Sequence, residues 1–261
     1  MLPGGARALR FARVNIRSNS SDPVSEIAES VQRAAPELGR GALALVDSPR
    51  APNTSPTQRD IDVALRATIA SVNRKRNLAD RITLSLFPTP PPEYFARCIN
   101  DRSCKPHLIS IARKVLGIPP GPTGSRPRSG GWIFTRFMIA GFAAHLALER
   151  LGVDTFEGYP YLAFAMWKQK GEVLPPKSAH RAALIARQKI VARLARECGL
   201  AADIPRTLDH ADAAVLAITA RLSARHGGTL FFASPEQGRF LLALDSRERT
   251  AVEEASVLDR A

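Results

Sequence analysis

Four carboxylates stand where chemistry could use them. Asp209 and Asp212 lie three residues apart in the segment LDHADAAVLAI (208–218), so a helix puts both on one face of its first turn. The partial positive charge of a helix N-terminus favours acids there. Capping is the simpler account of such a pair, with Asp209 as the N-cap and Asp212 three positions on. The rest of the segment is apolar, however, and a carboxylate entering a core layer needs a partner, for which a divalent cation is well suited. Asp47 follows the apolar run LALV (43–46), and Glu157 ends VDTFE (153–157). Each reads as a strand delivering an acid to its carboxyl end, where open α/β sheets assemble their sites. Taken singly, either acid suits a turn. Together the four fit Mg2+ or Mn2+, with Asp47, Asp209 and Asp212 as ligands and Glu157 as a peripheral ligand or water-orienting base. The chemistry of such a site is in-line phosphodiester hydrolysis, in which metal activates water and stabilises the leaving oxygen.

The elements that must position these acids alternate along the chain. Residues 8–16 (ALRFARVNI) read as a strand; Asp22-Pro23 then supplies an N-cap and an N1 proline for a helix with Val24, Ile27, Val31, Ala35 and Leu38 on one face. The strand ending at Asp47 follows, then a helix over about 59–73 and a β-rich run over 82–87 closed by PTPPP. Helices are expected over 106–116 and 131–151, separated by the loop GIPPGPTGSRPRSGG (117–131). After the strand ending at Glu157 come helices over about 160–169, 178–198 and 208–225. A final β pair, TLFFA and RFLLAL, surrounds a Pro-Glu-Gln-Gly turn. This grammar predicts a layered α/β sheet with helices on both faces, in a single domain over 1–244 with inserted helices over 90–150 and a charged tail over 245–261.

Charge points to a polyanionic partner. The 261 residues hold 37 Lys plus Arg against 24 Asp plus Glu, a net charge of +13. Residues 102–206 carry 17 basic and 6 acidic side chains, and 102–148 contain no acid. Arg outnumbers Lys 30 to 7, and the guanidinium fork suits bidentate phosphate contacts. Arg126 and Arg128 in the glycine-rich loop, with Lys168, Lys170, Lys177 and Arg181, could track the phosphates of DNA or RNA; solvated surface charge is the plain alternative. Binding of that kind should weaken steeply with salt. The aromatics Trp132, Phe134, Phe137 and Tyr161, Phe164, Trp167 recur near helical spacing, which suits packing better than base stacking.

Several chemistries are excluded. The chain contains no GxxxxGK[ST], HExxH, GxSxG or GxGxxG segment. Cys98, Cys104 and His107 lie close together, but their spacing is not that of a zinc site, and they read as loop or core thiols and an ordinary histidine. Three cysteines make no disulfide framework, so a cytoplasmic location is expected. The longest apolar stretch, Phe137 to Leu148, is interrupted by His145 and is too short to span a membrane. Arg7, Arg10, Arg13 and Arg17 superficially suit a transit peptide, although Leu9, Phe11 and Arg13 also alternate as strand residues do.

Five segments in order, ALALVDSPRAP (42–52), LFPTPPPEYF (86–95), GWIFTRFMIAGF (131–142), TFEGYPYLAF (155–164) and DHADAAVLAITA (209–220), carry a resemblance. Together, over about residues 8–244, they resemble a family of predicted ribonuclease-H-like nucleases described as a domain of unknown function. The DHADAA segment is also similar to the last-helix acidic motif of Holliday-junction resolvases. The resemblance implies a ribonuclease-H-like sheet and a metal-dependent nuclease. One feature departs from the pattern: such folds carry an essential Asp on a first strand, in a GlyIleAsp-like segment, and nothing before Asp22 matches it. The expectation is therefore that in-frame sequence upstream of Met1 encodes two further strands, the first ending in that Asp. Without them the chain would be an inactive derivative. A non-catalytic nucleic-acid-binding or scaffold protein is the rival reading, and a small-molecule phosphotransferase the third.

Overall fold

The computed structural model describes residues 8–9, 22–54, 58–77, 81–83, 89–99, 106–118, 132–226, 229–234 and 238–243. In chain order the elements are β1 (Ala8–Leu9), α1 (Pro23–Ala34), β2 (Leu43–Val46), α2 (Asp60–Arg74), α3 (Pro92–Ile99), α4 (Pro106–Leu116) and α5 (Trp132–Arg150). They continue with β3 (Asp154–Glu157), α6 (Pro160–Trp167), α7 (His180–Glu197), β4 (Ala201–Ala202), α8 (Leu208–His226), β5 (Thr229–Ser234) and β6 (Gly238–Ala243).

Local chemistry explains several boundaries. The Asp22 side chain accepts from the Ser25 backbone N–H at 3.1 Å, with Pro23 opening α1 where a missing N–H costs nothing. Lys114 and Ser25 hold the Asp22 carboxyl well below the usual carboxylate range. α8 is capped by Thr207, whose hydroxyl accepts from the His210 N–H at 3.1 Å. Asp209 is therefore not the cap. Where a β-rich run was expected over 82–87, Ile82 and Thr83 form no strand; the Asn73 side-chain amide bonds both the N–H and the C=O of Ile82, at 2.7 Å each, in place of a neighbouring strand. Residues 84–88 lie outside the described ones.

The main sheet has the order β2-β3-β6-β5, with β2, β3 and β6 parallel and β5 antiparallel at one edge. Among the described residues β2 pairs with β3 alone. The expected strand at 8–16 is described only at Ala8–Leu9, which pairs with Ala201–Ala202 apart from the main sheet. The fold is mixed α/β with helices on both faces of the sheet. α5, backed by α1, α3 and α4 through Val24, Phe95, Ile111, Met138 and Phe142, covers one face. α8 with α6 and α7 covers the other through Phe164, Ile190, Leu194, Val215 and Ile218. No helix among the described residues is long and apolar enough to cross a membrane. Cys98 and Cys198 are buried core thiols; Cys104 lies outside the described residues, as does the side chain of His107.

Parity along the strands decides which acid faces which layer. Leu45 registers with Phe156, and Ala44 with Thr155. Leu45 packs into the α8 cluster, whereas Thr155 bonds His145 of α5. Side chains alternate, so Asp47, two residues after Leu45, falls on the α8 side, while Glu157, two after Thr155, falls on the α5 side.

A tight approach holds the turn after Asp47. Gly141 of α5 lies against Ser48 so closely that a Cβ there would overlap the Ser48 side chain. Gly141→Ala is expected to cost about 1–3 kcal/mol, read by chemical denaturation, because neither helix nor turn has room to yield. A loss no larger than the few tenths typical of a surface change would show that the turn gives way freely.

Candidate functional site

Asp47, at the carboxyl end of β2, lies within electrostatic reach of Asp212 and Asp209 on α8, which packs against that strand. Asp47 is partly buried there; burial first, then the negative charge of Asp212 and to a smaller degree that of Asp209, raises its pKa to about 7, while Lys177 pulls it down. Asp212 is buried, with its side chain only 7% exposed, and Asp209 is exposed one turn earlier on α8. The negative charges on α8 thus disfavour ionisation of Asp47. Tyr159, in the loop between β3 and α6, lines the same region, and burial together with Asp47 pushes its phenol upward.

Two cations serve Asp212. Lys177, on a 3-10 turn over Lys177–Ala179, places Nζ 2.5 Å from Oδ2. Arg187 of α7 is 1% exposed and brings Nε to 3.7 Å from Oδ1, too long for a hydrogen bond. Both that Nε and Asp212 Oδ1 are buried without a hydrogen-bond partner. Arg187 Nη1 donates to Pro175 O and Ala183 O at 3.2 Å each, and its guanidinium lies 5.4 Å from the centre of the Phe164 ring. It thus ties the segment carrying Lys177 to the helix that faces Asp212. Sequence reasoning passed over Arg187, although a signal was there: it falls in the apolar stripe Ala183, Arg187, Ile190, Leu194, where a cation needs a reason to be buried.

Glu157 does not join this cluster. Its two oxygens accept from Arg59 Nη1 and Nη2 at 2.8 and 3.0 Å, and Oε1 also accepts from the Arg50 N–H at 2.9 Å. Arg59 in turn pairs with Asp62 at 2.9 and 3.0 Å. Gly238 sits over this carboxylate at φ +102°, where a Cβ would stand 2.5 Å from Oε1. Glu157 is therefore a buried clamp linking β3, the start of α2 and the turn after Asp47, with its acceptor sites filled; the placement gives no support to a ligand or base role.

His145 holds the same turn from the other side. Its ring, fully buried on α5, bonds Ser48 O at 3.2 Å through Nε2 and Thr155 Oγ1 at 3.1 Å through Nδ1. Nε2 carries the proton that the Ser48 carbonyl accepts, while Thr155 gives its own hydroxyl proton to Glu149 Oε1 at 2.9 Å. Burial pushes its pKa down to about 4. The unfolded chain takes up this proton below about 6.5 and the folded one only near 4, so stability is full above pH 6.5 and falls as pH drops. Between those limits about 3 kcal/mol should be lost, and the difference between wild type and His145→Gln in pH-dependent urea unfolding measures it. Equal slopes in the two proteins would contradict a buried neutral ring. The sequence held this signal as well, a lone imidazole inside an otherwise apolar stretch.

Of the residues expected to meet phosphate, Lys170, Lys177 and Arg181 are exposed and Lys168 half-buried, on the segment from the end of α6 to the start of α7. Arg126 and Arg128 lie outside the described residues. Phe164 is core and Trp167 donates from Nε1 to Thr219 at 3.2 Å, so these two pack as expected; Phe137 is exposed, and the side chains of Trp132 and Phe134 lie outside the described ones. The donor set of Asp47, Asp209 and Asp212 is all carboxylate oxygen, which suits Mg2+ or Mn2+, and the unsatisfied Asp212 Oδ1 is an acceptor such an ion could use. Among the described residues no three acidic, histidine or cysteine side chains stand close enough to enclose an ion as they are, with the Lys177 ammonium on Asp212. Comparison of this chain with family models, with curated proteins and with solved structures finds no match.

Proposed function

We propose that this protein is a metal-dependent phosphodiester hydrolase of ribonuclease-H-like type acting on nucleic acid. The observation that carries the reading is the convergence of Asp47 on Asp212 and Asp209, from a strand end and a helix start separated by some 160 residues of chain. Asp47, Asp209 and Asp212 would hold Mg2+ or Mn2+, which when bound supplies an activated water and charge stabilisation at the leaving oxygen. The chain's own groups do the rest. Asp212 is fixed by its depth in α8, and Asp47 by the turn that His145, Gly141 and Glu157 hold. Lys168, Lys170, Lys177 and Arg181 offer positive charge along the segment beside the acids, where a phosphate backbone would be steered and oriented. Tyr159 supplies a hydroxyl at the rim.

The test is cleavage of a panel of single- and double-stranded DNA and RNA with Mg2+ or Mn2+ and with chelator. Ion-dependent cleavage that disappears in Asp212→Asn is expected. If the panel stays intact while nucleic acid is bound, the rival non-catalytic reading takes over, since a charge of +13 attracts a polyanion without any metal.

A further inference from the structure

The outer side of α7 is a basic surface distinct from the acid cluster. Arg181, Ile185, Lys189, Ala192 and Arg196 are all exposed, and the helical repeat sets them within about 80° of one another. Arg187, which meets Asp212, lies on the opposite side of the helix and is buried. The three cations stand about 12 and about 10 Å apart along the axis, a row of about 22 Å. Among the described residues no carboxylate pairs with any of them; Glu172 and Glu197 are bound by Arg193 on the flank of the helix. The loop before α8 adds a fourth cation. Pro205 O accepts from Gln188 Nε2 of α7 at 2.7 Å, which lays the exposed Arg206 alongside the row, with Asp203 as the acid of that loop.

We propose that the outer face of α7 anchors double-stranded nucleic acid through its phosphate backbone. The proposal rests on the nucleic-acid partner of the reading above, and neither a metal nor cleavage enters it. A row of fixed cations without counter-charges attracts a polyanion that can lie along it, and about 22 Å corresponds to about six base pairs of duplex. Surfaces that hold single strands place aromatic rings on which the bases stack, and none of the described residues of this face is aromatic. A stacked duplex offers only its backbone and fits such a face. A lipid surface is the other broad anion. Ile185 and Ile204 are exposed among the cations, but single apolar side chains are ordinary on a protein surface, and a helix that lies on lipid presents a wide apolar face. Backbone contacts fix position and carry no sequence information, so binding here should be indifferent to sequence and steep in salt.

Fluorescence anisotropy of a DNA duplex of about 20 base pairs, with the full chain, in EDTA and over a salt series, tests this. Combining Arg181→Gln, Lys189→Gln and Arg196→Gln is expected to weaken binding at least about tenfold and to flatten the slope of log affinity against log salt by about 2.7, since each phosphate contact contributes about 0.9. Each single change should remove about 0.9 of slope, which keeps the test open if the triple variant does not fold by circular dichroism. Arg66→Gln, Arg74→Gln and Lys75→Gln together, at exposed positions of α2, remove the same charge elsewhere and should leave the slope within about one unit of wild type. A wild-type slope in the α7 variants, an equal loss in the α2 variant, or a single strand of the same length held as tightly through α7 overturns the proposal. Binding of phosphatidylserine vesicles through α7 with no binding of duplex overturns it too. Duplex binding that survives the α7 changes strikes the anchor alone and leaves the nucleic-acid partner in place. Duplex binding that depends on α7, with no cleavage under any ion, leaves the anchor standing while the hydrolase reading falls.

Discussion

Arg59→Ala is expected to cost about 3–5 kcal/mol of folding stability, the largest loss of any single change considered for this protein. The guanidinium is almost wholly buried, and its hydrogen bonds include two to Asp62 and two to Glu157. Removing it leaves two buried carboxylates facing each other with no cation between them. Burial already pushes the Glu157 carboxyl upward, and Arg59 is the main influence holding it down. In the variant the stranded acids can escape only by taking protons, so the deficit should be greatest near neutral pH and shrink in acid. Urea unfolding at pH 7 and pH 5 reads both features. A loss below about 1 kcal/mol at pH 7 would place this cluster among ordinary surface ion pairs. The damage should reach the site as well, because Glu157 Oε1 also takes the Arg50 N–H and so holds the turn that begins at Asp47.

The fold was largely readable from the residues because its punctuation is local. Asp22-Pro23 announces a capped helix, and the runs ending in Asp47 and Glu157 announce strands; all three appear where expected, although the strand before Asp47 is half-buried rather than buried. What a single strand does not reveal is its register with the next. Asp47 and Glu157 look alike in sequence, each an acid at a strand end, yet Val46 registers with Glu157, which sets the two acids on opposite faces of the sheet. That offset sends Asp47 to α8 and Glu157 to Arg59. Capping was misjudged for a similar reason. Thr207 and Asp209 are both able caps, and the choice between them fixes whether Asp212 sits in the first turn or two residues deeper; with Thr207 as cap it is buried. Buried polar residues on apolar stripes, Arg187 and His145, were visible in the pattern, but their partners Pro175, Asp212, Ser48 and Thr155 come from distant parts of the chain that only the packing brings together.

Asp212→Asn is expected to reduce ion-dependent cleavage by at least about 100-fold, the upper end of what loss of a ligand's supporting group alone costs at metal sites. The substitution keeps the shape of the side chain and removes its charge, and so separates chemistry from packing. Removing that negative charge also relieves Asp47, whose pKa Asp212 helps to raise to about 7; Asp47 should then ionise at lower pH. The variant thus makes its neighbour a better-ionised carboxylate while abolishing one ligand, and the two effects oppose each other in cation binding. If metal at Asp212 is required, activity disappears despite the more acidic Asp47. If the acids served only to repel or orient the substrate, cleavage would persist and its pH profile would move toward acid with Asp47. Stability gives the control: Lys177 and Arg187 lose their ion-pair partner in the variant, and Arg187, being buried, is the costlier of the two to strand. Activity is therefore compared at a temperature where both proteins are folded by circular dichroism. Wild-type cleavage retained in folded Asp212→Asn would remove α8 from the catalytic centre.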